Sequence, residues 1–178
     1  MAGFRSILED CLSLCEQSRE EIRTLSYLLH PPMLDEAGLI SALKWYVEGF
    51  SKRSGIKVDL LVGRHVRRLP MDVETDLFRI VQECLANIHR HSGSRTATVQ
   101  LEHDSERVLL KVRDWGHGMP VELRRLGKVG SLGVGIAGMR ERLGQLRGHL
   151  EIESGKDGTT ITAIVPLSED DRVRRRTG

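Results

Sequence analysis

The chain has 178 residues, of which 39% are apolar and 29% are charged, enough for one ordinary globular domain with an additional element. Its net charge of +2 is too small to argue for a polyanionic partner, so we expect no direct nucleic-acid binding. Three cysteines, an odd number, argue against a disulfide framework, and no apolar run approaches the roughly 20 residues that span a bilayer. We therefore expect these residues to be cytoplasmic, which still allows a parent protein anchored in the inner membrane.

Residues 4 to about 30 are predicted to form a helical arm. Apolar positions recur every seven residues in three adjacent columns, and such a wide stripe is typical of a bundle helix. No other predicted helix matches its length. We therefore expect the arm to pack against a second copy of itself, against a helix missing from this sequence, or both.

The prolines at 31 and 32 end the arm, and a connecting helix is predicted at 36–53. Asp35 is placed to cap this helix and Gly55 to end it. Its predicted core side consists of Leu39, Leu43, Tyr46, Val47 and Phe50. The next stretch, IKVDLLV, alternates apolar and polar residues as a strand does.

The remaining elements are predicted from hydrophobic periodicity. They are a helix at 70–91, strands at 96–103 and 107–113, a short helix at 137–146, and strands at HLEIES and TTITAIVP. The predicted core face of the long helix carries Leu77, Val81, Cys84 and Ile88. Five glycines between 127 and 138 predict a mobile loop. This order predicts an α+β fold, a two-layer sandwich with a mixed sheet of about five strands and about three helices, preceded by the arm.

One flank of the 70–91 helix carries an acid, an amide and two basic side chains. Glu83 and Asn87 are four residues apart, and Arg90 and His91 continue the same side of the predicted helix. A solvated helix face would also look like this. However, Asn supplies a hard oxygen ligand, Glu orients water or a metal ligand, and Arg neutralises phosphate charge, which is what Mg²⁺-phosphate binding uses.

The motif Asp-x-Gly-x-Gly follows directly on a predicted strand. The carboxylate of Asp114 can accept a hydrogen bond from an adenine amino group, and Gly116 and Gly118 leave room for a flat ring. An ordinary turn is the alternative interpretation, since glycines after strands are common.

The stretch GVGIAG at 133–138 matches G-x-G-x-x-G letter by letter. A dinucleotide fold needs this pattern directly after the first strand of a βαβ unit, whereas here it follows a glycine-rich loop. We interpret it instead as a flexible lid whose backbone N–H groups, with the start of the following helix, meet phosphates.

Together these motifs resemble the N, G1 and G2 boxes and the closing strand of histidine kinase ATP-binding domains, in the superfamily of gyrase B and the mismatch-repair ATPases. The segments concerned are FRIVQECLANIHRHSG, VRDWGHGM, GVGIAGMRERLGQLRG and KDGTTITAIVPL. The arm and LLHPPMLDEAGLISALKWYVEGFSKRSGIKVDL resemble the nitrate-sensor-like subfamily, whose kinases partner helix-turn-helix response regulators. The resemblance implies the Bergerat-type ATP-binding fold with ATP and Mg²⁺ as cofactors.

The resemblance implies a role for each candidate residue. Asn87 is expected to ligate Mg²⁺ and Glu83 to hold its water shell. Arg90, where a Lys often sits, and His91 are expected to approach the phosphates. The remaining assignments are the adenine pocket (Asp114, shaped by Gly116 and Gly118 and supported through hydrogen bonding by Thr159) and the lid (Gly133, Gly135, Gly138 and Met139).

The resemblance also assigns the domains and the partners. It implies the second helix of a dimerisation bundle at 1–34, the connecting helix at 35–54, the catalytic domain at 55–167 and a disordered tail at 168–178. The phosphorylated His of this family lies in an earlier helix, so we expect the acceptor upstream of this chain. His30 lacks the acid that follows the acceptor. We therefore expect a kinase fragment that cannot label itself, from a homodimeric parent that phosphorylates a response regulator.

Two other functions stay open. An anti-sigma-type serine kinase of the same superfamily shares the pocket but does not need the arm or HPPMLDEAGL. A non-catalytic dimerisation or interaction module would bind no nucleotide. The presence of Glu83, Asn87, Asp114 and Gly116 argues against that module.

Overall fold

The computed structural model describes residues 32–64, 66–119 and 133–167, which form three helices and one five-stranded sheet. The elements are α1 (Pro32–Ser54), β1 (Lys57–Val62), α2 (Met71–Asn87) with a π-helical turn at its end (Ile88–Ser92), β2 (Thr96–His103), β3 (Arg107–Asp114), α3 (Gly133–Gln145), β4 (His149–Gly155) and β5 (Gly158–Pro166). The predicted α+β sandwich is confirmed. The predicted arm and tail lie outside the described residues.

The strands lie in the order β1-β2-β3-β5-β4, with β1 parallel to β2 and every other pair of neighbours antiparallel. Their register aligns one row of apolar residues across the whole sheet: Leu60, Val99, Val112, Ile161 and Ile152. Because alternate residues of a strand point to the same face, this row and its neighbours form one continuous apolar surface. That surface is the floor of the core.

The helices cover this surface with apolar residues at three- and four-residue spacing. The residues predicted for the core side of the connecting helix and of the long helix are all buried. The middle helix, α2, is packed between the other two. Its Phe78 ring meets Tyr46 of α1 edge-on, with centroids 5.5 Å apart, and Cys84 Sγ lies 3.8 Å from Met139 Sδ of α3.

The start of α1 differs from the prediction. The helix begins at Pro32, because proline is tolerated in a first turn, where its missing N–H has no partner to lose. Asp35 therefore lies inside the first turn instead of capping the helix. A kink follows at Gly38, whose φ of 78° and ψ of 173° are not helical, and the predicted core side belongs to the part of α1 beyond it.

The start of α3 differs as well. Residues 133–138 were predicted as part of a mobile loop on account of their glycines, but α3 begins at Gly133. Ile136 and Met139 are buried at three-residue spacing, so packing overrides the weak helix propensity of glycine.

Arg68 ties the kinked part of α1 to the start of α2. Its Nη2 donates a hydrogen bond to the carbonyl oxygen of Asp35 (3.2 Å), and its Nε lies 3.4 Å from Oε1 of Glu74. Glu74 is 1% exposed, and the same Oε1 accepts a hydrogen bond from the N–H of Leu69 at 3.0 Å. The burial of this carboxylate therefore depends on Arg68 and Leu69.

We expect Glu74→Ala to lower the free energy of unfolding by about 3 kcal/mol, because it leaves the Leu69 N–H without an acceptor and Arg68 without its buried anion. Chemical denaturation followed by circular dichroism measures the change. Asp72→Ala is the control, since it removes an exposed carboxylate from the same first turn and should cost less than about 1 kcal/mol. Equal losses in the two variants would contradict the anchoring role of Glu74.

Candidate functional site

A cavity of about 570 Å³ opens between the three helices. Its charged lining consists of one acid, Glu83, and three arginines, Arg79, Arg90 and Arg142. Tyr46 enters from α1, and α3 contributes Gly135, Gly138 and Met139. The cavity therefore combines strong positive charge with a single carboxylate, a composition suited to an anionic ligand.

The cavity gathers five of the residues that the sequence singled out, but not Asn87 or His91. Both belong to the same stretch of chain, where Asn87 is half-buried and His91 exposed, yet neither is among the described residues that line the cavity. His91 and Arg90 lie in the π-helical turn that follows α2, where the spacing of a regular α-helix no longer applies. Asn87 belongs to the regular helix, and the π turn does not account for its place outside the cavity lining.

Glu83 lies against the first turn of α3. A side chain at Gly135 would collide with Oε1 of Glu83, so the missing Cβ allows the carboxylate to approach this turn closely. The start of a helix stabilises negative charge. Gly135, a residue of the predicted lid, therefore lies next to the Glu83 carboxylate of α2.

Sequence reasoning placed Tyr46 only in the core and missed its part in the cavity. It is 6% exposed, and burial raises the pKa of its hydroxyl, an effect that Arg53 opposes and the charge of Glu83 reinforces. Its phenol is therefore neutral near pH 7 and available as a hydrogen-bond donor.

Arg79 and Arg142 were also missed. Arg79 is one helical turn before Glu83, a spacing that could have identified it. Arg142 Nε lies 3.9 Å from Asp76 Oδ1, which links α3 to α2 beside the cavity. Burial raises the pKa of Asp76, while Arg142 and Arg79 act in the opposite direction.

A second group of predicted residues lies at the end of β3. Asp114 is 4% exposed, and its Oδ1 accepts a hydrogen bond from the N–H of Gly116 at 2.8 Å. Within the described residues, the Asp114 carboxylate makes this one hydrogen bond. The bond orients Asp114 and leaves acceptor capacity for a ligand, because a carboxylate accepts several hydrogen bonds.

The loop after β3 is fastened to the end of α2. The N–H of His117 donates to the carbonyl oxygen of Ser92 (3.1 Å), and that of Trp115 donates to Oγ of Ser94 (3.2 Å). A side chain at Gly116 would collide with the Ser92 carbonyl, so this close approach requires glycine. Asp114 is thereby held near the C-terminal end of the helix that carries Glu83.

Thr159 supports the same loop, but not in the way that was predicted. Its Oγ1 shares a hydrogen bond of 2.9 Å with Oγ of Ser154, which also accepts from the N–H of Met119 at 2.7 Å. Gly118, with a φ of 73°, passes directly over the carbonyl of residue 155. Within the described residues, Thr159 therefore holds the loop that follows Asp114 and does not bond the Asp114 carboxylate.

Comparisons with known proteins agree with this fold. Residues 72–169 match the family described as histidine kinase-, DNA gyrase B- and HSP90-like ATPases, and the chain belongs to this family. Sensor histidine kinase MctS of Rhizobium johnstonii is 36% identical over 157 residues, which are 88% of this chain and 34% of that protein. The histidine-protein kinase/phosphatase DegS of Brevibacillus brevis is 33% identical over 168 residues, 92% of this chain and 42% of that protein.

A third relative and one solved structure extend the comparison. Sensor histidine kinase NarS of Mycobacterium tuberculosis is 32% identical over 154 residues, 85% of this chain and 35% of that protein. The histidine kinase domain of the Erythrobacter litoralis EL346 blue-light activated kinase has a TM-score of 0.62 at 22% identity, covering 76% of this chain and 64% of that one. The structural likeness supports the fold alone.

These findings confirm the resemblance drawn from the sequence motifs. The chain carries the ATP-binding catalytic part of a histidine kinase of the nitrate-sensor-like kind. It spans about a third to two fifths of the length of these curated relatives. Among the described helices, none is long and apolar enough to cross a membrane.

We expect Gly116→Ala to lower the free energy of unfolding by about 1–3 kcal/mol, because the added methyl group forces the Ser92 carbonyl and the loop apart. Thermal denaturation measures the loss, and amide hydrogen exchange should show that the His117 N–H loses protection. Gly144→Ala is the matched control, since a Cβ there meets nothing within 4 Å and alanine favours the helix by up to about 1 kcal/mol. Unchanged protection of His117 in Gly116→Ala would contradict the close contact.

Proposed function

We propose that this chain binds ATP together with Mg²⁺ and acts as the catalytic part of a two-component sensor histidine kinase. In this proposal the γ-phosphate passes to a His in an upstream helix missing from this chain, and then to an Asp of a response regulator. One observation carries it: α2 presents Glu83 to an arginine-lined cavity, and the π turn that follows this end of the helix is fastened to the loop of Asp114.

Adenine recognition is proposed at Asp114. A buried carboxylate whose orientation is fixed by the Gly116 N–H can accept a hydrogen bond from the exocyclic amino group of adenine. The close backbone contacts of Gly116 and Gly118 keep side chains away from the ring. Thr159 contributes by holding this loop through Ser154.

Phosphate binding is proposed at the cavity and along the π turn. Arg90 lines the cavity, and His91 follows it in the same turn, so both can approach the phosphate oxygens. The lid glycines Gly133, Gly135 and Gly138 allow backbone N–H groups near the start of α3 to face the same anion. Met139 fixes α3 to α2 through its contact with Cys84.

The oxygen donors fit Mg²⁺, which is usually held through one or two side-chain oxygens while substrate phosphates and water complete the octahedron. Asn87 would supply an amide oxygen, and Glu83, one helical turn earlier, would orient the water shell. When bound, Mg²⁺ neutralises charge on the phosphates. The chain's own part in transfer is positioning and electrostatic stabilisation, since phosphoryl transfer needs little covalent help from the protein.

The partners of the parent protein are inferred from its family membership. The arm would pair with a second copy to form a homodimer, and the phosphorylated kinase would act on a response regulator with a helix-turn-helix output domain.

We expect titration calorimetry to detect binding of ATP with Mg²⁺. Asp114→Asn should weaken the affinity at least about tenfold with and without Mg²⁺, because it replaces one acceptor oxygen with a donor that opposes the adenine amino group. Asn87→Ala should reduce only the part of the affinity that depends on Mg²⁺.

Two controls make this titration specific. Asp104→Asn alters an exposed turn in which Asp104 accepts from the N–H groups of Glu106 and Arg107, so it should leave nucleotide affinity unchanged. Circular dichroism establishes that each variant is folded. Binding that is equal with and without Mg²⁺ and insensitive to Asn87→Ala would favour a module that does not use the metal, and no heat with any adenine nucleotide would refute the proposal.

We also expect that incubation with γ-labelled ATP leaves no stable label on this chain, because none of its seven histidines has the sequence context of the acceptor. Gel analysis after acid and alkaline treatment measures the label. Acid-labile labelling of this chain would show that the acceptor assignment is wrong. Acid-stable labelling of a separate protein on serine would favour the anti-sigma-type kinase instead.

A further inference from the structure

We propose that Ser94 is a positioning residue for adenine recognition, because its hydroxyl ends the pairing of β2 with β3 and so sets the turn that carries Asp114. This inference rests on the function proposed above, since it concerns Asp114 as the residue that binds the base. It arises from a side chain that no sequence motif singled out. Ser94 lies where β2, the loop after β3 and the π turn meet.

The hydroxyl of Ser94 makes three hydrogen bonds to backbone groups. It donates to the carbonyl oxygen of Thr96 at 2.7 Å, and it accepts from the N–H groups of Thr96 and Trp115, each at 3.2 Å. One donor and two acceptor sites are the full capacity of a serine hydroxyl. Ser94 is 8% exposed, so water has little access to this oxygen and the backbone groups depend on the side chain for their partner.

These bonds end the pairing of β2 with β3. The register of the two antiparallel strands ends with the pair Ala97 and Asp114. One further pair would place Thr96 opposite Trp115. The Ser94 hydroxyl instead bonds the N–H and the carbonyl of Thr96 and the N–H of Trp115, so a side chain takes the place of the next step of the ladder. β3 therefore ends at Asp114.

The end of β3 also determines the orientation of the Asp114 carboxylate. Beyond the strand the chain turns, and the N–H of Gly116 donates to Asp114 Oδ1 at 2.8 Å, which is the hydrogen bond of an Asx turn. Trp115 lies between these two residues, and Ser94 holds its N–H. The Ser94 hydroxyl therefore fixes the middle of the turn, and through the turn it fixes the carboxylate before a ligand arrives.

Ser94 is itself held by the π turn. Its N–H donates to Ser92 Oγ at 3.0 Å, and that hydroxyl donates to the carbonyl oxygen of Ile88 at 2.9 Å. Gly93, between the two serines, has a φ of 69°, in the left-handed region that ends a helix. The π turn and the loop after β3 are thereby joined through one side chain.

The first test uses no nucleotide, so it separates failure of this inference from failure of the proposed function. Amide hydrogen exchange followed by NMR reports the N–H groups of Trp115 and Gly116 individually. Ser94→Ala should speed the exchange of both groups at least about fivefold, because it removes the acceptor of the first and loosens the turn that holds the second. Exchange as slow as in the wild type at either group would overturn the proposal.

The second test measures base selectivity by titration calorimetry. Inosine triphosphate carries an oxygen where ATP carries the amino group, so it cannot donate the hydrogen bond that Asp114 is proposed to accept. Ser94→Ala should weaken the affinity for ATP about fivefold and keep that for inosine triphosphate within about twofold, because the phosphate contacts are unchanged. Equal losses for the two nucleotides, or undiminished ATP affinity, would contradict the role of Ser94. A wild-type chain that binds neither nucleotide would refute the proposed function itself.

Ser54→Ala is the matched control for both tests. Ser54 Oγ also bonds only backbone groups, since it donates to the carbonyl oxygen of Phe50 at 2.8 Å and accepts from the N–H of Ile56 at 3.2 Å. These contacts lie at the end of α1 and do not involve the loop after β3. The variant should lower the melting temperature by about 2–4 °C and leave both exchange rates and both affinities unchanged. A loss of ATP affinity equal to that of Ser94→Ala would show that lost stability alone explains the effect.

Ser94→Thr tests whether the hydroxyl itself is responsible. Where the threonine hydroxyl keeps the bond to the Trp115 N–H, slow exchange of that group and wild-type ATP affinity should both be retained. Where the added methyl group displaces the hydroxyl, both should be lost, as in Ser94→Ala. Slow exchange combined with weakened ATP affinity, or fast exchange combined with full affinity, would overturn the proposal.

Discussion

The hydrogen bond from the His117 N–H to the Ser92 carbonyl is the contact on which the geometry of the site depends. Together with the bond from the Trp115 N–H to Ser94 Oγ, it joins the segment that ends α2 to the loop after β3. Because Gly116 has no side chain, the two backbones approach without strain. This contact therefore fixes the position of Asp114, which is proposed to bind adenine, relative to α2, which carries the proposed Mg²⁺ ligand Asn87.

α2 serves both the core and the site, on different sides of one helix. Leu77, Val81 and Cys84 are fully buried, and Leu77 and Val81 each contribute on the order of 1.5–3 kcal/mol of hydrophobic burial. Its N-terminal turn is anchored by buried Glu74, and its last residues form a π turn, a feature that is often found at functional sites. The cavity-facing side chains of α2 therefore belong to a helix that is held in place by core packing, by buried Glu74 and by the hydrogen bond to the loop after β3.

The sequence predicted the sheet and the core faces of the helices well, because those patterns are local. Alternation along Thr96–His103 and Arg107–Asp114 identified both strands, and three- and four-residue spacing identified the buried side of α1. The π turn was not predictable from α-helical spacing. The link from Thr159 through Ser154 to Met119 also escaped prediction, since it depends on contacts between segments 35 residues apart.

Physical context also explains how Arg147, which is not a glycine, is accommodated at the end of α3. This residue follows α3 with a φ of 55°, in the left-handed region that glycine usually occupies where helices end in this way. The cost is about 1 kcal/mol, and the N–H of residue 148 still bonds the carbonyl of Leu143 at 2.7 Å. This hydrogen bond maintains the turn at the end of α3 although Arg147 stands in place of the preferred glycine.

α1 is attached to α2 at two places, once by a polar bridge and once by aromatic packing. Arg68 bridges the Asp35 carbonyl to buried Glu74 before the kink at Gly38, whereas Tyr46 packs on Phe78 beyond it. The part of α1 that carries Tyr46 lies beyond the kink, and Tyr46 is buried in the core. The connecting helix is therefore held to α2 by a polar bridge before the kink and by aromatic packing beyond it.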